Sequence, residues 1–279
     1  MPLLIVPLKW ERKINKNMYK QRIVIKVGTN VMTNKDNRIV RPVLRRLVSQ
    51  IAELYERNII CVLVSSGSVI AGKEILGKSK IKDKTQRRQV YSAIGQPRMM
   101  RLYYNIFQDY GMKCAQVLPT KRDFNPGVHR ENMIKCCEGL LSEGVIPIAN
   151  EDDAVSVTMS MFSDNDELAS LVAQLLNADK LIILTDIDGL YNGHPDSEKS
   201  ELIENVGVQE NVNRYIKESN KGEAEGRGGM GSKLDYAQEA AANNIPTYIA
   251  NGKKDNTIID IIDGKNVGTK VAKIKTLQH

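Results

Sequence analysis

Apolar runs of strand length alternate with helix-period patterns along most of this chain, and that alternation restricts the folds open to it. Ile23–Val27, Ile59–Val64, Lys113–Leu118, Val145–Ala149, Lys180–Thr185 and Pro246–Ala250 read as strands. Between them, Pro42–Arg57, Gln89–Tyr110, Arg130–Ser142, Asp164–Asn177 and Ser232–Asn243 read as helices. In the first of these helices Val43, Leu44, Leu47, Ile51 and Leu54 fall on one face. Ile59–Val64 is nearly all apolar, which predicts burial on both faces. Such an alternation argues for a mostly parallel sheet with helices on both sides.

The last third is less regular. Gln209–Lys217 reads as a short helix, Lys221–Gly229 as a mobile polar loop, and the tail Gly268–Lys275 as a strand closing a sheet edge. Two lobes are expected to meet near Ala173–Lys180. Residues 1–19 are expected to be a disordered extension. Its apolar Leu3–Val6 precedes its charges Lys9, Arg12, Lys13 and Lys16, the reverse of a secretory signal, and Met18 suggests a later start.

Composition removes several functional classes. No apolar run approaches the length of a membrane span. The net charge of +7 suits an anionic substrate or a solvated lysine-rich surface equally well. Lys78–Arg88 is the densest basic stretch, but it lacks interleaved aromatics and reads as a solvated loop rather than a nucleic-acid site. Cys61 and Cys114 sit in apolar runs, Cys136 and Cys137 are adjacent, and no CxxC occurs. Neither a zinc site nor a disulfide framework is indicated, and a reducing cytoplasm fits. The histidines are His129, His194 and His279, and no G-x-S-x-G occurs, which counts against a serine hydrolase.

The chemistry-bearing residues cluster where strands end. Gly28-Thr29 follow the first strand, Ser65–Ser68 the second, Asn150–Asp153 the fourth and Thr185-Asp186 the fifth. Parallel sheets bind ligands at these carboxyl ends. There is no P-loop and no G-x-G-x-x-G after a strand. Instead, Arg227-Gly228-Gly229-Met230-Gly231-Ser232-Lys233 leads into a helix, and exposed N–H groups beside a lysine make a phosphate site. Lys26 interrupts an otherwise apolar strand, where a lone ammonium is costly. Ser65–Ser68 reads equally as an anion nest or a helix cap. Asn150–Asp153 is a turn, a cap, or a holder of an ammonium or magnesium ion. Capping explains one residue of Asp164-Asn165-Asp166, not all three.

Taken in order, Val24–Thr29, Val64–Gly67, Ala93–Gln96, Asn150–Ala154, Asp164–Asp166, Leu184–Asp186 with Gly189–Tyr191, and Gly228–Lys233 resemble the amino acid kinase family. The resemblance spans residues 20 to 275, and the ordered set is more specific than any one motif. It implies an α/β fold, an αβα sandwich around a mostly parallel sheet, with an acceptor-binding lobe over about 20–175 and a nucleotide-binding lobe over about 176–279. Within the family the chain is most similar to members that use ATP and Mg2+ to phosphorylate the side-chain carboxylate of L-glutamate, the first step of proline biosynthesis. By that resemblance Lys26 and Lys233 grip the phosphates and Asp166 orients both lysines. Ser66, Asp153 and Asn165 would contact glutamate, with Asp153 suited to its free ammonium. Gly28, Thr185, Asp186 and Arg227, Gly228, Gly229, Met230, Gly231 and Ser232 would lie on the nucleotide side, and no protein metal ligands are implied. A cytoplasmic homo-oligomer inhibited by proline, with no nucleic-acid or membrane partner, is also implied. The chain departs from the pattern at Asp152, usually asparagine, at Arg227, usually threonine, and at Ser68, usually alanine. The C-terminal RNA-binding-like module that many members carry is expected to be absent, since the sequence ends shortly after Gly268-Thr269. Competing expectations are a kinase of the same fold acting on N-acetylglutamate, aspartate, carbamate or a nucleoside monophosphate, and a non-catalytic nucleotide-binding homologue.

Overall fold

The computed structural model describes residues 19–151, 164–212, 215 and 229–273. Its centre is an eight-stranded sheet of β1 (Gln21–Val27), β2 (Ile59–Ser65), β3 (Lys113–Val117), β4 (Val145–Ala149), β5 (Lys180–Thr185), β6 (Asn205–Gly207), β7 (Thr247–Asn251) and β8 (Thr269–Ala272), in the order β3-β4-β2-β1-β5-β7-β8-β6. Every pairing is parallel except β7–β8. The expected α/β sandwich is therefore present. Strands from residues 21–149 form one half of the sheet and those from 180–272 the other, joined by β1 against β5.

Two apolar layers cover the sheet. On one face Ile23, Ile25, Leu63 and Ile182 meet α1 (Thr29–Met32), α2 (Arg41–Glu56), α4 (Lys84–Asp109) and α8 (Thr257–Ile262). On the other, Val24, Val62, Leu181 and Ile183 meet α5 (Val128–Ser142), α6 (Asn165–Leu175) and α7 (Met230–Ala242). Side chains alternate between faces along a strand. Residues 23, 25 and 27 therefore point to the first layer, while Val24 and Lys26 point to the second, toward α6 and α7. All of β2 is buried, as its apolar run predicts.

Three expectations need correction. The tail strand β8 does not close the sheet edge. It lies inside, between β7 and β6, with Thr269 and Val271 fully buried. The true edge, β6, is three residues long, too short for any periodic signal. The basic stretch Lys78–Arg88 is only partly loop, because α4 begins at Lys84 under an Asp83 cap that accepts from the Gln86 N–H at 2.7 Å. Lysine, threonine, glutamine and arginine can all continue a helix without an apolar stripe, so the pattern becomes visible late. The expected helix at Gln209–Lys217 does not begin at its first residue: 209–212 are turn and irregular backbone, Tyr215 is helical, and 213, 214, 216 and 217 lie outside the described residues, as does the loop Lys221–Gly229 apart from Gly229.

Sequence periodicity missed α3 (Ser68–Leu76) altogether, because Gly72 stands in its middle. That glycine is there for close packing. A Cβ at Gly72 would sit 1.9 Å from the Tyr91 carbonyl oxygen, and one at Gly95 would sit 1.7 Å from the Ser68 carbonyl oxygen. The pair lets the backbones of α3 and α4 touch. Both obstacles are backbone atoms, so neither can swing aside. Gly95→Ala is expected to destabilise the fold by about 1–3 kcal/mol or more, read as a lower urea midpoint.

Candidate active site

Parallel pairing delivers five strand ends to one rim. Val27 lies opposite Ser65 and Leu184, Val64 opposite Ala149, and Thr185 opposite Asn251. Gly28 follows β1 and donates its N–H to the Leu184 carbonyl at 3.2 Å. A Cβ there would come within 3.3 Å of that oxygen and 3.8 Å of Lys26 Nζ, so the absence of a side chain keeps the rim open beside the lysine.

Three charged side chains form the deepest part of the rim. Lys26 Nζ stands 2.6 Å from Asp166 Oδ1, and Lys233 Nζ donates to Asp166 Oδ2 at 3.2 Å. Asp166 is completely buried and the lysines are 5% and 8% exposed. The first contact is an ion pair rather than a directed hydrogen bond. Burying an ammonium without a counter-charge costs several kcal/mol, so one carboxylate shared by two lysines is what permits both to lie inside. The three groups together carry one positive charge, a suitable floor for phosphate oxygens.

Local sequence explains how they meet. Lys26 shares the sheet face of Val24, which looks at α6 and α7. Asp164 caps α6, accepting from the N–H groups of Asp166 at 2.8 Å and Glu167 at 3.1 Å. Its other oxygen accepts from Ser232 Oγ. The first turn of α7 is thus tied to the first turn of α6 by Ser232 on Asp164 and Lys233 on Asp166. That helix begins at Met230, two residues before its expected start, with Gly229 as its cap, so Gly231, Ser232 and Lys233 are helical. Glycine-rich sequence concealed this turn from a propensity reading.

Beside the cations runs a chain of amides. Asn165 Nδ2 donates to Ser66 Oγ at 2.8 Å and to Asn150 Oδ1 at 3.0 Å. Asn150 Nδ2 donates in turn to Gln96 Oε1 at 2.8 Å. Ser66 and Asn165 were expected at the site, and the structure brings them together. Asn150 was seen only as part of an acidic cluster. Gln96 was missed as a site residue, although it closes the Ala93–Gln96 stretch; its signal was a polar residue beside a glycine needed for close packing. On the far side of β1, Thr185 is buried and donates to Asp186 Oδ1 at 3.3 Å, while Asn30 Nδ2 donates to Asp186 Oδ2 at 3.2 Å. Asp188, two residues on, accepts from Asn251 at 2.9 Å and Lys254 at 2.7 Å. Burial pushes the Asp188 carboxyl up, but its bonds to Lys254 and Asn251 outweigh this and hold it below the usual carboxylate range. Asp152, Asp153, Arg227 and Gly228 lie outside the described residues.

A rim of strand ends on an αβα sheet, floored by two buried lysines on one aspartate, belongs to a class of phosphoryl-handling proteins. This chain is a member of the amino acid kinase family, whose model matches residues 21–251. Among curated proteins it is similar to "Glutamate 5-kinase" of Bacteroides thetaiotaomicron, 39% identical over 241 residues that cover 86% of this chain and 66% of that one. It is also similar to "Glutamate 5-kinase" of Alkaliphilus metalliredigens, 37% identical over 262 residues that cover 93% of this chain and 97% of that one. The chain thus spans about two thirds of the Bacteroides relative's length and nearly all of the other's. Among solved structures, carbamate kinase from Giardia lamblia bound to AMP-PNP superposes with a TM-score of 0.65 at 20% identity, covering 91% of this chain and 99% of that one. The T. acidophilum isopentenyl phosphate kinase product complex gives 0.63 at 17% identity, covering 90% and 100%. At such identities these two speak for the fold alone.

Removing the shared carboxylate should be severe. Asp166→Ala leaves the Lys26 and Lys233 ammonium groups buried without it and is expected to cost about 3–5 kcal/mol of stability, measurable by urea unfolding followed by far-UV ellipticity.

Proposed function

We propose that this protein is an ATP-dependent kinase that phosphorylates the side-chain carboxylate of L-glutamate to γ-glutamyl phosphate, in proline biosynthesis. The observation that carries the reading is the buried Lys26–Asp166–Lys233 group lying one residue along α6 from the Asn165–Ser66 contact. A cationic floor for phosphates and a polar cradle for a small acceptor are thereby joined. Family membership and the glutamate 5-kinase relatives support the same reaction.

The chemistry asks little covalent work of the protein. A γ-carboxylate oxygen attacks the γ-phosphorus of ATP. The bond from that phosphorus to the bridging oxygen breaks, and ADP leaves with the electron pair. A carboxylate is already a nucleophile, so no general base is required. Negative charge spreads over the equatorial oxygens in a loose transition state, and fixed cations stabilise it there. Lys26 and Lys233 serve that purpose, and Asp166 holds both ammonium groups in place. Two mutually repelling anions must also be aligned, which is where positioning contributes most.

Ser66, Asn165 and Asp153 hold glutamate, Asp153 pairing with its ammonium. A negative partner for a free ammonium rejects an N-acylated acceptor, which lacks that charge. Gly28, Thr185 and Asp186 line the nucleotide side, with Arg227, Gly228, Gly229, Met230, Gly231 and Ser232 over the phosphates. Magnesium enters with the nucleotide as part of the substrate, since phosphate oxygens and water supply most of its ligands. Among the described residues no three acidic, histidine or cysteine side chains gather to hold a metal, and no helix is long and apolar enough to cross a membrane. The lobes about 20–175 and 176–279 divide these duties between acceptor and nucleotide. A cytoplasmic homo-oligomer with feedback inhibition by proline accompanies this reading.

A hydroxylamine-trapping assay with ATP and Mg2+ tests it. Hydroxamate is expected from L-glutamate and not from N-acetyl-L-glutamate or L-aspartate. Product from one of the other acceptors alone would keep a phosphotransferase and change its substrate. Within an active enzyme, Asp153→Ala is expected to raise the glutamate KM by about tenfold or more while moving the ATP KM little, as loss of a charge-assisted bond implies. Equal shifts in both would remove the aspartate from the acceptor pocket.

A further inference from the structure

The amide chain at the rim has a direction, from Asn165 through Asn150 to Gln96. Asn165 spends its Nδ2 on Ser66 and Asn150, which leaves Oδ1 buried and, among the described residues, without a hydrogen-bond donor. Buried acceptors of this kind are uncommon and costly unless a ligand or water serves them. Serving it requires a donor, and the ammonium of a free amino acid is one. The same position filled by an NH2 group would repel an ammonium. Which end of the Asn165 amide faces outward therefore bears on which acceptor the site accepts.

That choice is not made at Asn165 alone. Turning its amide over would set its oxygen against Asn150 Oδ1, now 3.0 Å from Nδ2. Turning Asn150 as well would set its oxygen against Gln96 Oε1, now 2.8 Å from its nitrogen. Ser66 cannot decide, because a hydroxyl either donates or accepts. The three amides therefore share one polarity, and Gln96 is the last of them. It lies on the long helix α4, whose Met99 and Tyr103 are buried one and two turns further along the same face, so its backbone is held in place. Tyr103 OH is 2.7 Å from Ser65 Oγ, the residue next to Ser66. Gly95 brings that part of α4 against the backbone of Ser68.

We propose that Gln96 is a positioning residue for acceptor recognition: its Oε1 accepts from Asn150, polarises the three amides in one sense, and so presents Asn165 Oδ1 to the substrate ammonium. This rests on the glutamate-kinase reading and adds to it a residue that does not touch substrate. The relay predicts that a side chain able only to accept will work at position 96, and that an apolar one of similar length will not.

Two variants test the relay. Gln96→Met removes the acceptor and is expected to raise the L-glutamate KM by about tenfold, with the ATP KM unchanged and the thermal midpoint close to that of the parent. Gln96→Glu keeps the acceptor, cannot reverse, and is expected to restore the glutamate KM to within about threefold. If Gln96→Glu is as impaired as Gln96→Met, or if either variant shifts the ATP KM as much as the glutamate KM, or if Gln96→Met leaves the glutamate KM unmoved, the relay is overturned while the kinase reading stands. A parent protein that forms no hydroxamate from glutamate overturns the kinase reading and the relay with it.

Discussion

One buried carboxylate organises this molecule's rim. Asp166 carries no solvent exposure and contacts the ammonium groups of Lys26 and Lys233. Neither lysine could lie where it does without a counter-charge, because transferring an unpaired ammonium into the interior costs more than a typical core residue gains. Lys26 comes from the first strand and Lys233 from a helix more than two hundred positions later. The shared aspartate therefore fixes where β1, α6 and α7 must meet, and the site exists only when that junction is intact.

The first turn of α6 divides its labour among three consecutive residues. Asp164 caps the helix and holds Ser232 of α7. Asn165 reaches Ser66 and Asn150 at the ends of β2 and β4. Asp166 pairs with the two lysines. Successive residues of a helix project about 100° apart, so adjacent positions can address a cap, a polar cradle and a cationic floor at once. A shift of one residue in this turn would exchange all three roles, which makes the cap as much a part of the site as the groups it aligns.

A second constraint acts from the opposite face. Gly72 and Gly95 allow α3 and α4 to approach to backbone contact, which seats Gln96 beside Asn150. The amide network thus draws on α4 and the ends of β2 and β4, whereas the cations draw on β1, α6 and α7. Asn165 and Asp166 are the point at which these two sets of elements join.

Strand identity and the parallel sheet were legible from the chain itself, because buried parallel strands such as Ile59–Val64 are continuous apolar runs that few other structures tolerate. The rim was legible for a related reason: small and acidic residues after such runs have no role in a core, and Lys26 within one demands a partner. Alternation along β1 also determined that Lys26 points away from the face of Ile23 and Ile25. Tertiary structure alone decided which partner it finds, since Asp166 and Lys233 are distant in sequence and no local pattern encodes their convergence. It also decided that β8 lies inside the sheet, that Gly72 sits in a helix, and that Gln96 meets Asn150. Each of those depends on close approach between separate elements, which periodicity within a single element does not register.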